Sequence, residues 1–193
     1  MEIRERKFDA ILLDVDGTLL DFGMSEKQGM KVVLEQYGFE PTEERLLLYH
    51  EINEGFWSAF ERGEVTKEDL VRQRFETFFG RLGRAVDGRE AEELYRRQLD
   101  ASAFLIDGAL CAYLKDRYDL YVVTNGTSST QYKRLAASGL DGFMKDIFVS
   151  EDAGSQKPQK EYFDYCFSRI PDANPRRMLL IGDSPASDIK GGM

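Results

Sequence analysis

The chain has 193 residues, 42% of them hydrophobic and 32% charged, and its formal net charge is −9 at pH 7. This length suits one globular domain with a sizeable insertion, and the acidic balance argues against a nucleic-acid partner because phosphate backbones are held by basic surfaces. One histidine is too few for a multi-histidine zinc site, and its place inside a predicted helix does not favour a catalytic triad.

The start of the chain is charged, and the apolar run behind it is short and interrupted by an aspartate. This pattern is not typical of a signal peptide, and no apolar run approaches membrane-spanning length. We therefore expect a cytoplasmic protein with no membrane partner, either a monomer or a homodimer.

The first predicted element is a buried strand over residues 8–13, a short run rich in Ile and Leu that leads into the sequence DVDGT. Side chains alternate along a strand, so Asp14 and Asp16 are expected on the same side of its carboxyl end, where open α/β sheets bind ligands. Gly17 permits a sharp turn, and Thr18 places a hydroxyl beside the two acids. Crowded carboxylates repel unless a cation or a shared proton relieves them, so the alternative is a plain surface turn with a capping aspartate.

Four helices are predicted next, with no strand between them. They cover approximately residues 25–37, 41–62, 66–80 and 87–99. Ser25 is predicted as the N-cap of the first helix, Gly38 as its end and Asp87 as the N-cap of the fourth. We interpret residues 24–101 as a helical cap inserted over the carboxyl end of the sheet, where such a lid can exclude water and contact substrate.

Strands and helices alternate in the rest of the chain. Strands are predicted over 119–124, 146–149 and 177–182, and helices over 108–118, 129–138 and 159–169. The predicted fold class is therefore α/β, a Rossmann-like parallel sheet flanked by helices and formed by residues 1–23 and 102–193. A new helix starts near Ile189, so we expect the native protein to continue past Met193 with this helix and one or two further strands.

Polar motifs follow three of these later elements. Thr124 and Asn125 end the strand over 119–124, Lys157 precedes a proline after the strand over 146–149, and the last strand leads into GDSPASD. Each motif alone is a common turn sequence. Together with DVDGT, and in this order, they resemble the four motifs of the haloacid dehalogenase superfamily of aspartyl-phosphate phosphatases, and the resemblance covers nearly the whole chain.

The resemblance implies a role for each matching residue. Asp14 corresponds to the nucleophile that forms an aspartyl-phosphate, and Asp16 to the acid that protonates the leaving alcohol and then activates water. Thr124 and the backbone amide of Asn125 correspond to the groups that hold the transferring phosphoryl group. Lys157 corresponds to a point charge that steadies both Asp14 and that group.

The resemblance also implies a metal site. Its ligands correspond to Asp14, the main-chain carbonyl of Asp16 and Asp183, with Asp188 supporting the site through a water or by orienting Lys157. An all-oxygen set of this kind suits Mg²⁺, with Mn²⁺ as a possible substitute.

The substrate class is indicated by more detailed similarities to individual branches of the superfamily. Asp16 favours a metal-dependent phosphatase, because the dehalogenases of the superfamily lack this second acid. The motifs look most like the pyrimidine 5′-nucleotidase branch, which implies a small phosphorylated substrate, a nucleoside monophosphate. Two alternatives stay open, namely a phosphatase of sugar phosphates or phosphoglycolate, and a phosphate-binding protein of the same fold without turnover.

The cap carries one candidate substrate surface. Aromatic and amide side chains recur at helical spacing on one predicted face: Tyr49, Asn53, Phe56, Trp57 and Phe60. A nucleobase could stack there, with Trp57 as the principal contact, but such a stripe is more often the core of its own domain. Arg72 and Arg74 are further candidates for substrate contact, although a helical arginine usually faces water.

Overall fold

The structure, a computed structural model, describes residues 7–106 and 108–193, with the side chains of 108–110 left aside. It divides into two compact units. The sheet unit comprises the described residues through Phe22 together with Ala103–Met193, and the helical unit comprises Gly23–Ser102. Within the described part of the chain, no helix has the length and apolarity that a membrane crossing requires.

The sheet unit is built on four parallel strands. They are β1 (Ala10–Leu13), β2 (Asp119–Thr124), β3 (Asp146–Val149) and β4 (Met178–Ile181). Their spatial order is β3-β2-β1-β4. Strands β2 and β3 therefore lie on one side of β1, and the chain then crosses to the other side to form β4. This confirms the predicted fold class. The reversal of strand order beside β1 creates a switch point, and ligands bind at the carboxyl ends of strands at such points.

Both faces of the sheet are covered, which explains the uninterrupted apolar sequence of β1. Ile11 and Leu13 belong to one buried cluster, whereas Ala10 and Leu12 belong to a second one on the other face. The residues around them are apolar because a parallel strand buried on both sides has no solvated face. The strand can therefore hold the first residues after it, Asp14 among them, in a fixed position.

The helices of the sheet unit follow the predictions, with the first and the last shorter than predicted and the one over 129–138 beginning one residue earlier. The structure has α5 (Gly108–Leu114), α6 (Ser128–Ser138), α7 (Ser150–Ala153) and α8 (Lys160–Phe167), and a wide helical turn at Pro185–Ile189. Strands β2 and β3 have the predicted bounds. The short helix α7 was not predicted, because four residues carry no helical periodicity.

The helical unit contains four helices. They are α1 (Phe22–Gln36), α2 (Glu43–Glu61), α3 (Lys67–Arg81) and α4 (Gly88–Asp100). Asp87 caps α4 as predicted, because its Oδ1 accepts a hydrogen bond from the Arg89 amide at 2.8 Å. The prediction that Ser25 caps α1 is wrong, because the helix begins at Phe22 and Ser25 is buried inside it. The preceding residue, Asp21, donates its backbone amide to the Phe104 carbonyl.

A buried polar network joins the four helices of this unit. Asn53 Nδ2 donates to Glu26 Oε2 at 2.7 Å, and Asn53 Oδ1 accepts from Arg74 Nη1 at 2.7 Å. Arg74 Nη2 also donates to Glu92, and the ring of His50 bonds Glu26 Oε1 at 2.7 Å. Buried polar groups stabilise a fold only when their partners are present, so this network fixes how the helices pack.

We expect Arg74→Met to destabilise the helical unit strongly. Arg74 is 3% exposed and pairs with buried Glu92, and removing one partner of a buried ion pair costs about 3–5 kcal/mol of unfolding free energy. Arg72→Met is the matched control, because the Arg72 guanidinium pairs with Asp69 and Glu76 on the exposed side of α3. Thermal unfolding of both variants measures the difference. Equal melting temperatures would show that the network contributes nothing to stability.

Candidate active site

Lys157 lies at the centre of a cluster of charged groups beside the carboxyl ends of β1 and β2. Its ammonium donates to Asp14 Oδ1 at 2.6 Å, to Asp188 Oδ1 at 2.5 Å and to the Val123 carbonyl at 2.9 Å. The side chain is 2% exposed. Three donors meet three acceptors, so the ammonium is fully bonded and holds two carboxylates that would otherwise repel each other.

The backbone of Lys157 is held by the side chain of Asn125. The Lys157 amide donates to Asn125 Oδ1 at 2.9 Å, and Asn125 Nδ2 donates to the Lys157 carbonyl at 3.0 Å. This two-way bond connects the end of β2 to the segment that carries the lysine, and sequence reasoning did not foresee it. The predicted role of the Asn125 backbone amide in phosphate binding stays a prediction.

Thr124 ends β2 next to this bond. The side chain is 2% exposed, and its Oγ1 accepts a hydrogen bond from the Gly126 amide at 3.1 Å. That bond uses the hydroxyl as an acceptor and leaves its hydrogen as a donor. The predicted contact of Thr124 with a phosphoryl group is compatible with this geometry.

Asp16 takes different partners from Asp14. Its Oδ2 accepts from Gln131 Nε2 at 2.5 Å, and its Oδ1 accepts from Arg134 Nη1. Both donors lie on α6, where a spacing of three residues places them on one helical face. The sequence analysis did not identify Gln131 and Arg134 as partners of Asp16. Their helical spacing and their position after the Thr124 motif were the only features of the sequence that could have indicated this role.

Asp14, Asp183 and Asp188 form a group that could hold a metal ion, because one oxygen of each lies within 4.8 Å of the others. Two glycines make room for it. A Cβ on Gly17, whose φ is +81°, would lie 2.2 Å from Asp183 Oδ2, and one on Gly182 would lie 2.2 Å from the Asp188 carboxyl carbon. The Asp16 side chain is not part of this group, and the role of its carbonyl stays a prediction.

The charges of the site fit a divalent cation. When ionised, four carboxylates (Asp14, Asp16, Asp183 and Asp188) face two cations (Lys157 and Arg134), which leaves two negative charges in excess. Burial raises the pKa of Asp14 to about 7, although Lys157 opposes this shift, and burial also raises the pKa of Asp183. A metal ion would relieve this repulsion, and the all-oxygen donors suit Mg²⁺.

We expect Mg²⁺ to raise the melting temperature at pH 8. A ligand at about 100 times its Kd adds ~2.7 kcal/mol to the unfolding free energy. The increase should be smaller at pH 6, because the pKa of Asp14 is about 7 and protons then compete with the metal. Thermal unfolding with Mg²⁺ or with a chelator at both pH values measures this. A chelated sample that melts like the Mg²⁺ sample at pH 8 would contradict a metal site here.

The aromatic stripe of the helical unit divides into interior and half-exposed residues. Tyr49, Asn53 and Phe60 are buried within the unit, so these three form its core. Trp57 is half-buried; its ring packs edge-on against Phe60 with ring centres 5.8 Å apart, and the Lys67 ammonium lies 4.8 Å from the ring centre. The binding of substrate by Trp57 therefore stays a prediction.

The two arginines suggested as substrate contacts have partners within the helical unit. Arg74 belongs to the buried network described above. Arg72 donates to Asp69 and Glu76 on its own helix. Both guanidinium charges are therefore paired with carboxylates of the helical unit.

Comparison with known proteins gives a family match and close relatives. Residues 8–192 match the family of haloacid dehalogenase-like hydrolases. The HAD-hydrolase YfnB of Bacillus subtilis is 47% identical over 97% of this chain and 80% of its own length. A crystal structure of YfnB, described as bound to magnesium and as revealing interdomain movement, superposes with a TM-score of 0.92 over 96% of this chain and 84% of that one.

Two further relatives carry a named activity. The pyrimidine 5′-nucleotidase PynA of Streptococcus pneumoniae is 32% identical over 94% of this chain and 78% of its own length. The pyrimidine 5′-nucleotidase YjjG of Escherichia coli is 29% identical over 97% of this chain and 82% of its own length.

Proposed function

The chain belongs to the haloacid dehalogenase-like hydrolases, and from this premise we propose that it is a Mg²⁺-dependent phosphomonoesterase acting through an aspartyl-phosphate, a 5′-nucleotidase for pyrimidine nucleoside monophosphates. The observation that carries the proposal is the buried Lys157, which bonds Asp14 and Asp188, with Asp16 two residues from the nucleophile. The two named nucleotidases support the substrate class.

In the first half-reaction, Asp14 attacks phosphorus and the bond from phosphorus to the ester oxygen breaks. Lys157 bonds Oδ1 of Asp14, so Oδ2 is the candidate for the attacking oxygen. The leaving alkoxide takes a proton from Asp16, and general acid catalysis of this kind is worth roughly 10²–10⁴-fold. The products are the free alcohol and a phosphorylated Asp14.

In the second half-reaction, water attacks the phosphorus of the aspartyl-phosphate. Asp16, now ionised, accepts a proton from this water, and the bond from phosphorus to Asp14 breaks. Inorganic phosphate leaves, and both carboxyl groups return to their starting states. One residue thus serves as acid and then as base, which requires that it be held near the reacting atoms in both steps.

Lys157 and the end of β2 hold the transferring group. The Lys157 charge lies beside Asp14 and offsets the negative charge on the phosphoryl oxygens, and Thr124 and the Asn125 amide are the candidate donors to these oxygens. A Mg²⁺ ion held by Asp14, Asp183 and Asp188 would supply further positive charge at the same place.

A substrate panel tests the proposal. We expect Mg²⁺-dependent phosphate release, with kcat/KM higher for pyrimidine nucleoside monophosphates than for sugar phosphates or phosphoglycolate. A clear preference for a sugar phosphate would replace the nucleotidase proposal and keep the phosphatase. No release from any ester would leave a phosphate-binding protein without turnover.

We also expect Trp57→Ala to lower kcat/KM for uridine monophosphate more than for 4-nitrophenyl phosphate. Stacking of a base on an aromatic ring is worth about 1–3 kcal/mol, and a small aryl phosphate does not need this contact. The loss with 4-nitrophenyl phosphate serves as the control, because it measures any general effect of the substitution on the enzyme. Equal losses, with a lower melting temperature, would place Trp57 in the packing of the helical unit and not in substrate recognition.

A further inference from the structure

The side chain of Asp16 is held by two residues that none of the four motifs includes. Gln131 donates to one carboxylate oxygen at 2.5 Å and Arg134 donates to the other. The two donors are 2% and 1% exposed, so they are as deeply buried as the core. Each oxygen of Asp16 therefore has its own fixed donor on one rigid helix.

The surroundings of these two donors are shaped to allow the contact. A Cβ on Gly126 would lie 2.0 Å from Gln131 Nε2, so only glycine leaves space for the amide at this position. The Arg134 guanidinium lies 5.7 Å from the centre of the Phe22 ring, which limits where it can move. The helix that carries both residues begins just after the Thr124 motif, so it is tied to the candidate phosphate site.

We propose that Gln131 and Arg134 are positioning residues that hold Asp16 in place as acid and base, which rests on the proposed phosphomonoesterase function. A carboxylate with a single bond to Cβ can rotate, and an acid a fraction of an ångström out of place loses much of its effect. Two donors from one helix remove that freedom. Their effect on catalysis is therefore exerted through Asp16 and not through contact with the substrate.

The competing explanation is that the pair is structural. A buried guanidinium needs a carboxylate partner, and Asp16 would satisfy Arg134 whatever chemistry it performs. The need of Arg134 for a counter-ion does not account for Gln131, because a side-chain amide is neutral and requires no carboxylate partner. The structural explanation also predicts that variants lose stability and activity on all substrates alike, whereas loss of a general acid affects poor leaving groups more than good ones.

The test compares two esters of nearly the same shape, phenyl phosphate and 4-nitrophenyl phosphate. The parameter kcat/KM covers the steps up to phosphorylation of Asp14, where the leaving group departs. Phenolate needs the proton from Asp16 more than 4-nitrophenolate does. We expect Gln131→Met and Arg134→Lys to lower kcat/KM for phenyl phosphate about tenfold more than for 4-nitrophenyl phosphate, within the range of general acid catalysis.

Two further variants make the result specific. Tyr132 lies on the same helix, and its hydroxyl donates to Asp152 and the Ile147 carbonyl. Tyr132→Phe removes these bonds and should leave the ratio of the two kcat/KM values unchanged. In an Asp16→Asn background, Gln131→Met should add no further change to this ratio, because the group on which it acts is gone.

The outcomes separate this inference from the proposed function. Hydrolysis of both esters by the wild type, with the same ratio of kcat/KM values in Gln131→Met and Arg134→Lys, would overturn the inference alone. No hydrolysis by the wild type with Mg²⁺ would overturn the proposed function and the inference with it. If Arg134→Lys does not fold, Gln131→Met decides, since it removes no charge.

Discussion

Replacing Asp14 with asparagine is expected to abolish phosphate release from every ester, with a loss of at least about 10⁴-fold, as for other enzymes that lose their nucleophile. An amide nitrogen or oxygen does not form a stable bond to phosphorus in this position, and Asp188 is not free to take its place, because its carboxylate is bonded to Lys157 and the Ser184 amide. The fold should persist. Burial disfavours the charge of Asp14, which raises its pKa, and a neutral amide of the same shape relieves that cost.

The measurement is phosphate release by purified wild type and Asp14→Asn, with thermal unfolding of both. Asp119→Asn is the control, since Asp119 lies at the exposed opening of β2 and pairs only loosely with Lys145 at 3.7 Å. It should retain activity. Turnover by well-purified Asp14→Asn would remove Asp14 from the mechanism and with it the aspartyl-phosphate.

The sequence predicted the sheet unit well because its strands are short apolar runs with polar motifs at their ends. β2 and β3 lie where they were predicted, and Lys157 lies beside Asp14 although the two are far apart in the chain. Parallel strands bring their carboxyl ends to one edge, so motifs at those ends meet whatever their separation. Membership in the haloacid dehalogenase-like hydrolases, expected from the same motifs, is confirmed by the family match.

Contacts made by single polar side chains were not predictable in this way. Gln131 and Arg134 are ordinary residues on an amphipathic helix, and helical spacing alone does not distinguish a residue that faces solvent from one that bonds Asp16. The bond between Asn125 and the Lys157 backbone depends on where two loops pass each other. Such contacts are determined by tertiary packing and not by local sequence.

In the helical unit too, contacts between polar side chains could not be predicted from local sequence. Arg74 was considered as a substrate contact, with a solvent-facing position as the alternative, and Asn53 as part of a stripe that either contacts a base or forms the core of its own domain. In the structure they lie inside the unit and bond each other. A buried arginine requires partners on other helices, Glu92 in this case, and these can be recognised only once the helices are packed.

Lys157→Met is expected to destabilise the metal-free protein by about 3–5 kcal/mol at pH 8, the usual cost of removing one partner from a buried ion pair. The ammonium is shared by Asp14 and Asp188, so its loss leaves two buried carboxylates without their common cation. The loss of stability should be smaller at pH 6. The pKa of Asp14, already raised to about 7, rises further without Lys157, and a group whose pKa is raised by folding stabilises the fold at low pH and loses that contribution as the pH rises.

Lys160→Met is the matched control, three residues along the chain. Lys160 bonds Asp164 on the surface of α8, so its loss should change the melting temperature little at either pH. Activity should separate the two variants further, because the proposed mechanism assigns to Lys157 the role of offsetting the charge of the transferring phosphoryl group, a contribution of roughly 10²–10³-fold for a single aligned donor. If Lys157→Met melts like Lys160→Met in the absence of metal at pH 8, Lys157 does not hold the two carboxylates together. The charge balance from which we infer the metal site would then be wrong as well.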